Sequence, residues 1–282
     1  KSDGTLEQII INNQEVRKFN DKVTIEKDGV VLLTDNAEHF LKNNELSLKG
    51  NVTMIKNQDT LKCDHLYYWT ENDSVEAMGN VQMIQKNIYL KGDKVIVRYK
   101  DSLLHNIKII NHAKMQQKKN LSITKKQNLK KLFIDEMKSN TILARFNKNE
   151  QISSLTLSGM AYSLFNVDND SLFIGINQTT GDSIIIYFDE KNISNINVLG
   201  GARGEFEPDE YNANVDTTIV YKAQKIKYFV NKEKTILTNN AEVIYQDIKL
   251  SANHIEVDWN KNYLTALQIE EKKPQVQSKR IK

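Results

Sequence analysis

A short pattern recurs seven times along this chain: a small residue, then Asp, Asn or Gln, then apolar residues two, four and six places further on. The polar anchors are Asp35, Asp64, Asp93, Asn140, Asp182, Gln224 and Asn253, and successive anchors are 29, 29, 47, 42, 42 and 29 residues apart. A period of a few tens of residues means one supersecondary unit stacked many times, each copy burying its apolar face against the next. The first two copies align without a gap. Thr34 to Phe40 falls on Cys63 to Trp69, and Gly50-Asn51-Val52 falls on Gly79-Asn80-Val81. The unit is therefore a strand, a polar turn such as Lys42-Asn43-Asn44 or Glu71-Asn72-Asp73, and a second strand.

Strand character rests on period-two alternation. Two, four and six places after the anchor stand Ala37, His39, Leu41; Leu66, Tyr68, Thr70; Val95, Val97, Tyr99; Ile142, Ala144, Phe146; Ile184, Ile186, Phe188; Ile226, Tyr228, Val230; and Ile255, Val257, Trp259. The positions between them are mixed and often charged, so one face turns to an apolar interior and the other to water. Just before the anchor the phase breaks. Apolar residues three places upstream and small residues one place upstream (Thr34, Cys63, Gly92, Ser139, Gly181, Ala223, Ala252) form a second inward set. Joining the two sets requires one extra residue in the anchor strand, as at a bulge or corner, where small side chains let the backbone fold sharply. The second strand keeps its own phase, with Leu46, Leu48, Val52 and Met54 in one unit and Val75, Ala77, Val81 and Met83 in the next.

The expected architecture is all-β: antiparallel bent strands stacked into an elongated, folded-over sheet whose two walls face each other across an apolar cleft. Only Pro208 and Pro274 interrupt the chain, so long ladders are feasible. Periodicity alone leaves two roles open for the inward residues, packing of a closed core and lining of a ligand cleft.

Composition narrows the classes. Apolar residues make up 39% and charged residues 27% of 282 positions, a balance suited to a thin body with much wet surface. A formal charge of +3 is too mild a footprint for nucleic acid. No run approaches transmembrane-helix length. The lone Cys63 makes no internal disulfide. The histidines His39, His65, His105, His112 and His254 are scattered, and His65 and His254 share one repeat position, which points to structure rather than catalysis. An aspartate ladder for cations is disfavoured because Asn and Gln replace Asp in other copies; hydrogen bonds at the corner suit all three. Gly200-Gly201-Ala202-Arg203-Gly204 precedes no helix pattern, so it is no phosphate loop. No enzyme, metal site or cofactor is expected. The run from Lys114 to Lys131 holds seven lysines and no acid; it suits either a basic rim for phosphates or a solvated stretch of strand and loop.

The strings Leu61-Lys62-Cys63-Asp64-His65-Leu66-Tyr67-Tyr68-Trp69, Val75-Glu76-Ala77-Met78-Gly79-Asn80-Val81, Leu90-Lys91-Gly92-Asp93-Lys94-Val95 and Thr180-Gly181-Asp182-Ser183-Ile184-Ile185-Ile186-Tyr187-Phe188 resemble the OstA-like repeat. That is the repeat of the LptA family, which includes LptC and the periplasmic domain of LptD. The resemblance implies a β-jelly-roll of V-shaped section in the periplasm that shields the acyl chains of lipopolysaccharide on the way to the outer membrane. It also implies head-to-tail docking with other bridge proteins through edge strands. On that reading Leu48, Val52, Met54, Leu66, Val81, Met83, Val95, Val97, Ile184, Ile186, Ile226, Ile255 and Val257 line the lipid cleft. The wider spacings from Asp93 onward leave two forms open, a two-module bridge (1–130 and 131–282) and a domain of a larger outer-membrane protein. Two further readings stay open, a structural or adhesive β-solenoid and a carrier of another lipid such as phospholipid.

Overall fold

The computed structural model describes residues 4–27, 29–69, 74–101, 103–123, 130–169, 171–190, 192–209, 215–261, 263–268 and 273–278. The expected turn at Glu71-Asn72-Asp73, Thr70, and Lys125 and Lys126 of the basic run lie outside them. The strands are β1 (Leu6–Ile11), β2 (Gln14–Lys27), β3 (Val30–Phe40), β4 (Glu45–Lys56), β5 (Asp59–Trp69), β6 (Ser74–Gln85), β7 (Ile88–Lys100), β8 (Leu103–Ser122), β9 (Lys130–Phe146), β10 (Ile152–Asn169), β11 (Leu172–Asp189), β12 (Asn192–Pro208), β13 (Ile219–Phe229), β14 (Lys234–Tyr245), β15 (Ile248–Asp258), β16 (Tyr263–Leu267) and β17 (Gln275–Ser278). They form one 17-stranded sheet. From β1 to β7 and from β10 to β16 each strand pairs antiparallel with the next, and β8 and β9 continue the series between. The only helical element among the described residues is one 3-10 turn at Val230–Lys232. The fold is an all-β jelly-roll of bent antiparallel strands, as the repeat requires.

By internal contacts the chain divides into two compact units, Lys1–Met115 with Thr141–Gln151, and Gln116–Asn140 with Ile152–Lys282. In unit one an inward row crosses the sheet through aligned partners, from half-buried Phe19 to buried Ala37, Leu48, Leu66, Ala77 and Val95. In unit two the equivalent row is Leu157, Ile184, Val198, Ile226, Leu237, Ile255 and Ala266. Beyond the corner runs a second row of small partners: Val52 opposite Cys63 and Val81 opposite Gly92 in unit one, Ala202 opposite Ala223 and Ala241 opposite Ala252 in unit two. Two walls of one bent sheet converge there, and only small side chains fit between them.

The corner itself corrects one expectation. Between aligned pairs, β3 takes three steps from Leu33 to Asn36 while β4 takes four from Lys49 to Thr53. The same surplus appears in β6, β12 and β14 against β5, β11 and β13. The extra residue thus belongs to the even strands, not to the anchor strands. It is absorbed by two consecutive left-handed residues: Asp21-Lys22, Gly50-Asn51, Gly79-Asn80, Asn111-His112, Gly159-Met160, Gly200-Gly201 and Asn239-Asn240. Gly and Asn are the residues that enter this region at least cost. The anchors sit outside the bend and brace it. Asn51 Nδ2 donates to Asp35 Oδ2 at 2.8 Å, Asn80 Nδ2 to Asp64 Oδ2 at 2.9 Å, and His112 Nδ1 lies 3.0 Å from Asp93 Oδ2.

The wide spacings come from longer strands and from longer connections, residues 123–129 between β8 and β9 and 209–218 between β12 and β13. β8 has 20 residues and β9 to β12 have 17 or 18, against 11 to 13 for β3 to β7. In unit two the lengthened arms curl until β11 meets β8. Leu172 pairs with Ser122 in parallel, and Ser122 N donates to Ser171 O at 2.8 Å. β8, β9, β10 and β11 so make a closed ring. Phe133 stacks on Phe173 within it, ring centroids 4.5 Å apart. Asp135, 1% exposed, accepts from Asn166 N and Nδ2 and pairs with Lys119 Nζ at 2.6 Å. One lysine of the basic run is therefore paired with a buried carboxylate, and the described parts of that run are strand apart from the bend at Ile123.

Candidate functional site

An apolar concave site lies in unit two, between the walls formed by β13, β14, β15 and β16. One wall contributes Thr235, Leu237, Val257, Asp258, Trp259, Tyr263 and Leu264. Facing them stand Ile219, Tyr221, Val243 and Tyr245, with Val215 from the segment before β13. The space between is about 310 Å³, within the range of small-molecule sites. Its lining is aliphatic and aromatic because each inward position of a bent strand is filled by the alternation described above. Trp259 is held by its indole N–H, which donates to Thr235 Oγ1 at 2.8 Å, and its ring tilts against Phe206 at 6.4 Å.

Polar groups border this space at two places. Burial pushes the Asp258 carboxyl up, but the Lys261 backbone N–H and the Lys234 ammonium, 3.5 Å away, outweigh it and leave Asp258 below its ordinary value. On the inner side, Tyr221 OH donates to Asn177 Oδ1 at 2.9 Å, Tyr228 OH donates to Tyr221 OH at 2.8 Å, and Thr179 Oγ1 donates to Asn177 Oδ1 at 3.1 Å. Tyr221 and Tyr228 flank the β13 corner, so their hydroxyls meet across the walls. Burial raises the hydroxyl pKa of both, and they stay neutral donors throughout the ordinary pH range. Sequence reading missed this network, because its members stand 44 and 49 residues apart in two strands, β11 and β13, that are not neighbours in the sheet. The only local signal was Tyr at inward positions, where a hydroxyl needs a buried partner.

The thirteen residues singled out as cleft lining all lie on strands. Leu48, Val52, Leu66, Val81, Val95, Ile184, Ile186, Ile226 and Ile255 are wholly buried, each 2% exposed or less. Met54, Met83, Val97 and Val257 are half-buried. Only Val257 reaches the 310 Å³ space. Tyr221, Tyr245, Trp259 and Tyr263 of the pocket were not among the thirteen. Trp259 could have been, since it occupies the sixth place after Asn253. Among the described residues, no group of three or more His, Cys, Asp or Glu is arranged to hold a metal, and no helix is long and apolar enough to cross a membrane.

Fold and site define a class: a β-jelly-roll of bent strands with an apolar space between its walls. Comparison with known proteins agrees. Residues 42–135 match the family model described as OstA-like protein, and residues 175–263 match that of the LptA/(LptD N-terminal domain) LPS transport protein. Two separate stretches of the chain are thus similar to OstA-like/LptA-type families. Similar solved structures include LptH, the LptA homologous periplasmic component of the lipopolysaccharide transport device of Pseudomonas aeruginosa. It is 14% identical, with 51% of this chain and 94% of that chain covered and a TM-score of 0.40. No curated protein matches the chain.

Proposed function

We propose that the protein is a periplasmic lipopolysaccharide carrier that shields acyl chains between the two walls of its bent sheet and works with other bridge proteins docked on its edge strands. The observation that carries this reading is the apolar, aromatic-lined space between β13 and β16, in a chain whose family model is that of a lipopolysaccharide-transport protein. Each methylene taken from water contributes about 0.8 kcal/mol, so a hydrocarbon chain asks for continuous apolar lining rather than fixed polar contacts. The inward rows supply such lining, from Leu48, Val52, Met54, Leu66, Val81, Met83, Val95 and Val97 in unit one to Ile184, Ile186, Ile226, Ile255 and Val257 in unit two. Their tight packing means that the walls must part before lipid reaches the deeper positions. Val257, already beside open space, is the first to be touched. The role is binding and transfer, with energy supplied elsewhere.

Photo-crosslinking residues placed at Val81 and Val257 test this in cells that make lipopolysaccharide. Adducts with lipopolysaccharide are expected at Val257 first and at Val81 under active transport. Adducts confined to outward Arg98 would defeat the reading. Native mass spectrometry of protein purified from membranes then separates lipopolysaccharide from phospholipid as the lipid carried.

A further inference from the structure

The apolar space does not continue freely through unit two. Tyr221, one of its lining residues, is also a member of the hydroxyl network with Tyr228, Asn177 and Thr179. Tyr221 is 3% and Thr179 4% exposed. The Tyr221 ring lies over Gly204, so closely that even a Cβ there would overlap it. Beside this crossbar the Phe206 and Trp259 rings meet at 6.4 Å. Toward β16 the space is lined by Val257, Tyr263 and Leu264 and has no such obstruction among the described residues.

We propose that the Tyr221–Tyr228 crossbar, held by Asn177 and Thr179, is a stop that limits how far a hydrocarbon chain can enter this pocket and so selects chain length. The inference rests on the acyl-chain reading above and adds a specificity-determining element to it. A chain gains affinity for each methylene it places among Leu237, Val243 and Val257, about fourfold per methylene. The next methylene would have to part the two hydroxyls. That breaks both bonds of the Tyr221 hydroxyl, to Tyr228 and to Asn177, a penalty larger than one methylene returns. At roughly 30 Å³ for a methylene-sized group, 310 Å³ holds a chain on the order of ten carbons.

The test is displacement of a fluorescent acyl probe from the whole protein by saturated fatty acids lengthened two carbons at a time. For the native protein, affinity rises about fourfold per methylene up to a chain on the order of ten carbons and is flat beyond it. In Tyr228→Leu the rise continues for at least two further carbons. Tyr221→Phe keeps the ring, the fold and the packing on Gly204 while removing the hydroxyl bonded to both Tyr228 and Asn177; there, chains beyond the native limit gain at least tenfold. A native series that keeps rising past the limit, or a plateau unmoved in Tyr221→Phe, overturns the stop while leaving the acyl pocket standing. Native protein that binds no chain of any length overturns the acyl reading itself and the stop with it.

Discussion

At the residue scale the corner is the most demanding place in the chain. Gly79 has φ 74°, and a Cβ there would run into the Asp64 carboxylate that braces the bend. Gly29 has a similar φ of 76° but open space around it. Both pay the left-handed penalty on substitution, about 1 to 2 kcal/mol, and only Gly79 must also displace its neighbour. Gly79→Ala should therefore lower the unfolding free energy by at least about 1 kcal/mol more than Gly29→Ala in parallel denaturant titrations; equal losses would mean that the Asp64 brace carries no weight. Glu38 makes a second case. Burial pushes its carboxyl up, but Lys18 and Lys49, each 3.1 Å away, outweigh burial and hold it below its ordinary 4.5. A lowered carboxyl contributes stability above that value and loses it as pH falls through the folded one. The gap in unfolding free energy between the native protein and Glu38→Gln should be largest near neutrality, on the order of 0.5 kcal/mol, and should shrink as pH falls below 4.5. Much at this scale was legible in sequence. Every residue two places after an anchor is 2% exposed or less, from Ala37 to Ile255, because alternation fixes which face is inward. Cys63 was read as a small corner residue and is one, its thiol pushed up to about 12 by burial and by Asp64.

At the element scale the bend depends on a mismatch between partners. An even strand carries one residue more than its odd neighbours at the corner, and two left-handed residues take up the difference. Deleting Asn80 would restore equal lengths and turn Val81 and Met83 to the opposite face. Asn80→Gly keeps the count and the backbone preference and loses only the bond to Asp64. The deletion should cost several kcal/mol, or prevent folding altogether, while Asn80→Gly stays within about 1 kcal/mol. A deletion as mild as the substitution would show that register is not set at this corner. The sequence revealed that a phase break exists but placed its surplus residue in the wrong strand. Side-chain alternation reports which face a residue takes; it does not report which of two paired backbones is longer. Likewise the extra length between Asp93 and Gln224 reads as inserts in one dimension, and the structure divides it between longer arms of the same strands and the connections at 123–129 and 209–218.

At the scale of the whole molecule the repeat foretold stacking of bent strands and, with the family pattern, a cleft. The contacts that decide whether the cleft is continuous were not foretold. Tyr221 to Asn177 and Ser122 to Ser171 join residues 44 and 49 apart, and no local periodicity encodes such meetings. The β8 to β11 ring has a further consequence, for the way the chain comes apart. A sheet in which each strand leans only on its neighbours behaves as a one-dimensional array, able to fray from either end a strand at a time. The parallel seam between Ser122 and Leu172 breaks that rule, since β8 cannot leave without releasing β11. Amide hydrogen exchange should find the arms of β8, β9, β10 and β11 opening together, with protection above that of β1 or β16. Ser122→Pro, which removes the donor of the bond to Ser171 O, should let the four strands exchange independently; unchanged, graded protection across them would mean the seam does not bind them into one unit. Within a fold that otherwise unzips, those four strands form a knot of cooperativity, the part last to yield to heat or protease.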